Sequence, residues 1–479
     1  MTKFTKSVLV IVAVVLVCMT FVGCQDYKWG PVGTTSTEDA INNGSLVVKQ
    51  GEYIYYVNGQ DDVSSIKTAY DNHFGKASVK GSIMKSKIGA DGTLTETEVV
   101  VPKMFYTGNT KGGFSIFGEW LYYVSPSTQT DNKGNVLTSQ LEYMRTKTDG
   151  TKTQSIAIVE GSSLSYVFTP TALIYLDGTN LKKVSYNAKK IGKTTTVAEE
   201  VNGSLFTAKS QVIFYTKASS DKTLANNVVF VMNGDSEPIE LIGDKTYASG
   251  EKPTLAEQKT ITLSKYDAEE NVLYYGRKDN DSNALNGTYG YKFTDGFKPI
   301  DKTLEKRYSV NVLTNFVPMG FEKGLLDVST AKIKMYKPIS SDANVDSTDK
   351  EVELSATPIY LFNDDTYLYY VISSKLARLN YGAEKPIEEI ISDANISTNW
   401  IAPTKIDNFV YYIDASNYSY LARFDYTTYS VAEGKEVFPK CEIVSGYESS
   451  DKTSTGLVPK FMTQADKDAY IKANPVEEK

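Results

Sequence analysis

The side chains that carry most acid–base and metal chemistry are nearly missing from this 479-residue chain. It has one histidine, His73; of its three cysteines, Cys18 and Cys24 lie at the N-terminal end and Cys441 near the other. An imidazole-based triad, a zinc centre or a Cys–His pair needs supporting partners that His73 and Cys441, so far apart, do not supply. His73 sits in "TAYDNHFGKA" (68–77), which reads as a loop with a solvated imidazole. Cys441 follows "VFPK" and is expected in an outer strand as a small buried apolar residue. Carboxylates are plentiful, with 58 Asp and Glu against 51 Lys and Arg, so carboxylate chemistry stays open on residue type alone. The string "DNDSNALNG" (279–287) opens like a calcium loop, but Ala284 and Gly290 stand where such a loop needs a glycine and a bidentate glutamate. No metal and no cofactor are expected.

The N-terminus is set aside before fold is considered. Lys3 and Lys6 precede an unbroken apolar run, "SVLVIVAVVLVCMTFVG" (7–23), that ends in "FVGC" (21–24). This resembles the lipobox of bacterial lipoprotein precursors, with Phe21 in place of the usual Leu. The resemblance implies cleavage before Cys24, a lipid on its thioether, and a body tethered outside the cytoplasm; the expected location is the outer side of a Gram-positive cell membrane. Residues 1–23 are then a signal peptide and 24–44 a polar tether. Losing two lysines takes the formal net charge from −7 to −9, and no basic cluster offsets it, which argues against nucleic acid as a partner. With Cys441 alone left over, no internal disulfide can form, and stability must come from the core.

What positions any site is a repeat. An aromatic strand recurs eight times, including "EYIYYVN" (52–58), "EWLYYVS" (119–125), "ALIYLDG" (172–178), "NVLYYGR" (271–277), "TYLYYVI" (366–372) and "NFVYYID" (408–414). Aligned on Tyr56, Tyr123, Tyr175, Tyr215, Tyr275, Leu326, Tyr370 and Tyr412, the copies stand 40 to 67 residues apart. A short strand precedes each. A third follows with period-two alternation ("LEYMRTKTDG", "KLARLNY", "YLARFDY"), often running into Asp-Gly or Asn-Gly, a tight-hairpin dipeptide with positive φ at both residues. A fourth strand completes the unit. Second strands apolar on both sides must be covered on both faces, as in a ring of blades. The chain therefore reads as an all-β propeller over 45–446, with eight four-stranded blades, or seven if the weak copy at 323–329 is an insertion. A tail (447–479) follows, with one short helix in "TQADKDAYIKANP" (463–475).

The pattern aromatic-Tyr-Tyr-Val/Ile followed by Leu-Tyr-Arg/Lys-x-x-x-Asp-Gly resembles bacterial lipoprotein propellers related to the low-density-lipoprotein-receptor YWTD type. No blade carries the YWTD tetrapeptide itself, and eight units exceed that type's six. The resemblance implies a fold without an assigned activity. A propeller glycosidase would aim Asp or Glu from its inner strands into the channel. The inner-strand candidates ("SLVVK", "FSIF", "SYVF", "SLFT", "ITLSK", "NFVPM", "IYLF", "WIAP") hold none. The expected role is a monomeric ligand-binding or protein-interaction module. A carboxylate-dependent polysaccharide-active enzyme and an accessory or sensor subunit of a membrane complex are the rivals.

Most of the 34 tyrosines belong to the repeat and pack between blades; Arg378 and Arg423, on third strands, read as blade-surface residues. Turns between first and second strands are uniformly short. Chain length goes instead to the opposite face, at 58–78, 125–139 and 235–258. That long-loop face is where a protein or glycan partner is expected, with Tyr70, His73, Phe74 and Tyr247 as ligand-binding candidates, and the short-turn face is expected to be plain. Deleting 60–77 and 126–138 should abolish capture of the partner while the circular-dichroism melt stays cooperative; unchanged capture would refute this placement.

Overall fold

The computed structural model describes residues 38–459 except 60–80, 102–103, 106–109, 112, 128–130, 134–136, 138, 151, 162–163, 219–227, 244–258, 280–285, 309–312, 314, 340–347, 399–401, 417–419, 445–446 and 454–455. Eight sheets follow one another as the blades of a propeller, antiparallel throughout except that Thr110–Lys111 adds a parallel strand to blade three. Blade one is Val47–Gln50, Tyr53–Val57, Ile83–Ile88 and Leu94–Val101. Blades two to eight occupy 115–160, 164–198, 201–242, 259–308, 316–353, 359–390 and 396–443. First strands of neighbouring blades touch, which sets them around the axis with the fourth strands outermost.

The weak sixth copy is a full blade: Phe316–Pro318, Leu325–Asp327, Lys332–Tyr336 and Thr348–Glu353 pair in order, so eight is the count. Consecutive second-strand residues face opposite neighbours. Tyr369 packs with blade eight and Tyr370 with blade six; Tyr274 faces blade six and Tyr275 blade four. In blade six Leu326 faces blade seven and Leu325 faces blade five. Leu326 therefore matches the first tyrosine of the pair, not the second, and the alignment read from sequence is off by one there.

Arg378 and Arg423 are corrected by the fold: neither is a plain surface residue. Arg145, Arg378 and Arg423 each sit on a third strand opposite the first tyrosine of their blade's pair (Tyr122, Tyr369, Tyr411). Each guanidinium lies over the ring two residues earlier, at 4.2 Å on Trp120, 4.3 Å on Tyr367 and 4.3 Å on Phe409. Lys85 in blade one does the same on Tyr53, at 4.2 Å. The cation then reaches the next blade's third-to-fourth connection. Arg145 donates to the Asn187 carbonyl at 2.8 Å, Arg423 to the Gly92 carbonyl at 2.7 Å, and Arg378 approaches the Tyr429 ring at 5.3 Å. Lys183 of blade three donates to the Asp235 carbonyl of blade four at 2.6 Å without the ring. Buried between apolar sheets, such a cation keeps its charge satisfied by carbonyl, ring and side-chain acceptors together.

Closure joins blade eight to blade one by side chains. Arg423 bonds Gly92, Lys49 pairs with Asp407 at 2.6 Å, and Tyr56 donates to the Val444 carbonyl at 3.2 Å over a shared apolar cluster. The third-to-fourth turns also differ from the sequence reading. Gly150, Gly234 and Gly296 take positive φ (70°, 61° and 77°), but the Asp or Asn before each does not, so these are longer turns with one left-handed residue. Two-residue turns with both φ positive occur instead at Ser373-Ser374 (46° and 64°), which joins the second and third strands of blade seven, and at Glu433-Gly434 (52° and 74°), which joins Ser430–Ala432 to Lys435–Val437.

Cys441 is exposed, because it precedes the two-residue edge strand Glu442–Ile443 instead of lying inside a strand. The tail opens with a hairpin, Tyr447–Thr453 with Gly456–Pro459. The helix expected at 463–475 lies outside the described residues. Arg145→Met should lower unfolding free energy by about 3 kcal/mol, since it strands the Gln154 and Asn187 oxygens bonded to its charge. Glu119→Gln, which removes a half-exposed ion pair to Lys147, should cost under about 1 kcal/mol. Urea midpoints of the two variants test the contrast, and equal losses would contradict it.

Candidate binding site

The chain ahead of blade one is not a free tether up to residue 44. Ala40–Ile41 adds a fifth strand to blade one, antiparallel to Val47–Gln50. The chain then crosses the mouth of the channel. Asn42 donates to the Lys405 carbonyl of blade eight at 2.9 Å. The Asn43 amide pairs with the backbone of Ile116 in blade two, giving 3.0 Å and accepting 2.8 Å. Gly44 N–H donates to the Phe114 carbonyl at 2.9 Å. Gly44 needs to be glycine twice over: its φ is +79°, and a Cβ would stand 2.3 Å from the Ala208 Cβ of blade four. Segment 38–45 thus ties blades eight, one, two and four together across the axis.

Beside this segment opens a cavity of about 810 Å3. Its walls are Glu38–Asn43, the first-to-second turns of blades two to four (Gly118–Trp120, Pro170, Lys209 and Gln211), and Asn187–Ala188 of blade three. Gln50, fully buried, holds two walls together by donating to the carbonyls of Glu38 (3.0 Å) and Gly118 (2.8 Å). Tyr122 and Tyr186 stack at 5.1 Å beneath it, under the Arg145 guanidinium. Burial raises both phenols above their ordinary pKa, Arg145 opposing the rise, so neither serves as an acid or base near neutrality. Glu119 is neutralised by Lys147 at 2.9 Å.

The cavity opens on the short-turn face, which the sequence led us to expect plain. The turns there are short, as read, but the chain before the first blade adds the relief. The ligand-binding candidates Tyr70, His73, Phe74 and Tyr247 and the lipidation candidate Cys24 lie outside the described residues. Among the described residues no group of three His, Cys, Asp or Glu side chains is placed to hold a metal ion.

Two perturbed groups lie elsewhere. Burial raises the Glu305 carboxyl, which accepts from Tyr275 at 2.5 Å, but Glu305 stands just before the outer strand of blade five, far from the axis. Burial lowers the Lys265 ammonium, whose donation to the Phe316 carbonyl at 3.0 Å links blades five and six. Neither forms an acid–base pair facing the cavity. Sequence reasoning missed the cavity because its key wall, Glu38–Asn43, carries no repeat signal and was grouped with the tether.

No family model matches the chain, and no curated protein matches it. Among solved structures it is similar to apo AztD from Citrobacter koseri, at 9% identity and TM-score 0.36 over 76% of this chain and 95% of that one. It is also similar to Hsv2p from Kluyveromyces lactis, at 12% identity and TM-score 0.34 over 74% of this chain and 97% of that one. At such identities the likeness is of fold alone.

Gly44→Ala should free the crossing segment from the channel mouth, since a left-handed alanine and a Cβ clash together cost about 2–4 kcal/mol. Limited proteolysis should then cut ahead of Leu46 at least tenfold faster than in the parent; an unchanged cleavage rate would show that the segment is not held there.

Proposed function

We propose that this chain is a propeller lipoprotein, held on the outer side of a bacterial membrane through Cys24, that works as a ligand-binding module. The cavity at the channel mouth is the observation that carries the binding part. Its volume falls in the range of small-molecule sites, and its walls mix apolar surface with a few polar groups. Three blades and the crossing segment build it, so its shape is set by the rigid ring rather than by one loop. Catalysis is the weaker reading: the nearest carboxylate on a turn, Glu119, is already paired, and the nearby phenols are held neutral.

The lipobox residues Val22, Gly23 and Cys24 support the tether. Thirteen residues lie between Cys24 and Glu38, at most about 50 Å of extended chain. With Cys24 lipidated, the cavity wall stays within that distance of the bilayer. A bound ligand would press on the same segment that leads to the membrane.

Metabolic labelling with tritiated palmitate should mark the wild-type chain in the membrane fraction, and Cys24→Ala should lose both label and membrane association. Label retained by Cys24→Ala would refute the anchor. Separately, a thermal-shift screen of amino acids, sugars and nucleosides should find compounds that raise the melting temperature of the wild type but not of Ala188→Trp, whose indole fills the cavity. A screen in which no compound acts, or acts equally on both, would refute the cavity as the binding site.

A further inference from the structure

The cavity walls carry a particular arrangement of charge and apolar surface. Asp39 and Lys209 both line it and both are exposed. Among the described residues neither side chain has a hydrogen-bond or ion-pair partner, and they do not pair with each other. They belong to different elements: Asp39 leads into the added strand on blade one, and Lys209 sits in a turn of blade four. The lining also carries apolar side chains. Ile41 is 52% exposed although it lies in a strand, Phe117 is half-buried, and Pro170 and Ala188 also line the cavity. An exposed large aliphatic residue inside a concave site is apolar surface left for a ligand to cover.

We infer that this cavity takes a zwitterion with an apolar side chain, a free α-amino acid or a short apolar peptide. The inference rests on the binding reading above. The ligand's ammonium would meet the Asp39 carboxylate, its carboxylate the Lys209 ammonium, and its side chain would cover Ile41 and Phe117. Both charges are supplied from the rim, so the ligand's termini stay near water while its apolar part is buried, which keeps the desolvation cost of the charges small. A volume of about 810 Å3 admits either a single amino acid or a peptide of a few residues. The Gln211 amide and the amide oxygen of Asn42, also in the lining, can bond a peptide backbone.

The test is isothermal titration of the purified full-length protein in detergent with leucine, phenylalanine and leucyl-leucine. The N-acetyl and C-amide derivatives of each, and a neutral disaccharide, serve as controls. Binding of a free zwitterion, weakened about tenfold or more when either end is blocked, is the expected result, matching the loss of one charge-assisted bond. Asp39→Asn should lose discrimination against the N-acetyl form, and Lys209→Met discrimination against the C-amide. The single amino acids against the dipeptide decide which zwitterion is preferred. Blocked derivatives binding as tightly as free ones, or the disaccharide binding alone, would overturn the ligand class while leaving a binding module; no heat with any compound would overturn both the ligand class and the use of this cavity.

Discussion

A four-stranded sheet whose second strand puts tyrosines on both faces cannot keep water from either face by itself. Each blade of this protein is therefore stable only between two others, and the contacts between blades are the constraint on which the rest depends. The apolar part is general, since Tyr-Tyr pairs send one ring forward and one back around the ring. The specific part is a third-strand cation that stacks on its own blade's leading aromatic ring and reaches the next blade. Apolar packing alone tolerates sliding of one sheet on another. A guanidinium that must meet a ring, a carbonyl and an acceptor at once has few positions, so it fixes how each blade sits against its neighbour.

That device follows an arc. The ring-stacked cation occurs in blades seven, eight, one and two, and blade three keeps a lysine without the ring. Blades four, five and six place Val231, Gly290 and Met335 at the equivalent position. The cavity lies where that arc ends, on turns of blades two to four, and Arg145 forms part of its foundation by holding Tyr186 and Asn187. Rigidity and the candidate site are thus built by the same contacts. The crossing segment adds a further tie, because it touches blades eight, one, two and four and continues into the chain that leads to Cys24.

Much of the fold was legible in the chain. The eight copies, their four strands and the burial of the tyrosines follow from alternation and spacing, which are local properties. The clamp left a trace as well: an aromatic residue stands two places before the Tyr-Tyr pair in "YIYY", "WLYY", "YLYY" and "FVYY", the blades whose third strand carries Lys85, Arg145, Arg378 or Arg423. Read singly, Arg378 and Arg423 looked like surface residues, because the partners that bury them belong to other blades. Cys441 was misplaced for a related reason, since a two-residue edge strand gives no alternation to read. The candidate site was hardly legible. Its walls come from turns and from 38–43, where ordinary polar residues gain meaning only from what lies opposite.

The sequence by itself determined the architecture and the poverty of the chain in imidazole and thiol, because a repeat is written in neighbours and a composition needs no coordinates. Only the tertiary structure decided that the sixth copy is a true blade, that Gly44 must pass Ala208, and that Asp39 and Lys209 share one cavity. Those facts depend on closing a ring through residues as far apart as Gly92 and Arg423. Which residues face one another across a closed ring is set by the summed packing of all its blades, and no local stretch of sequence contains that sum.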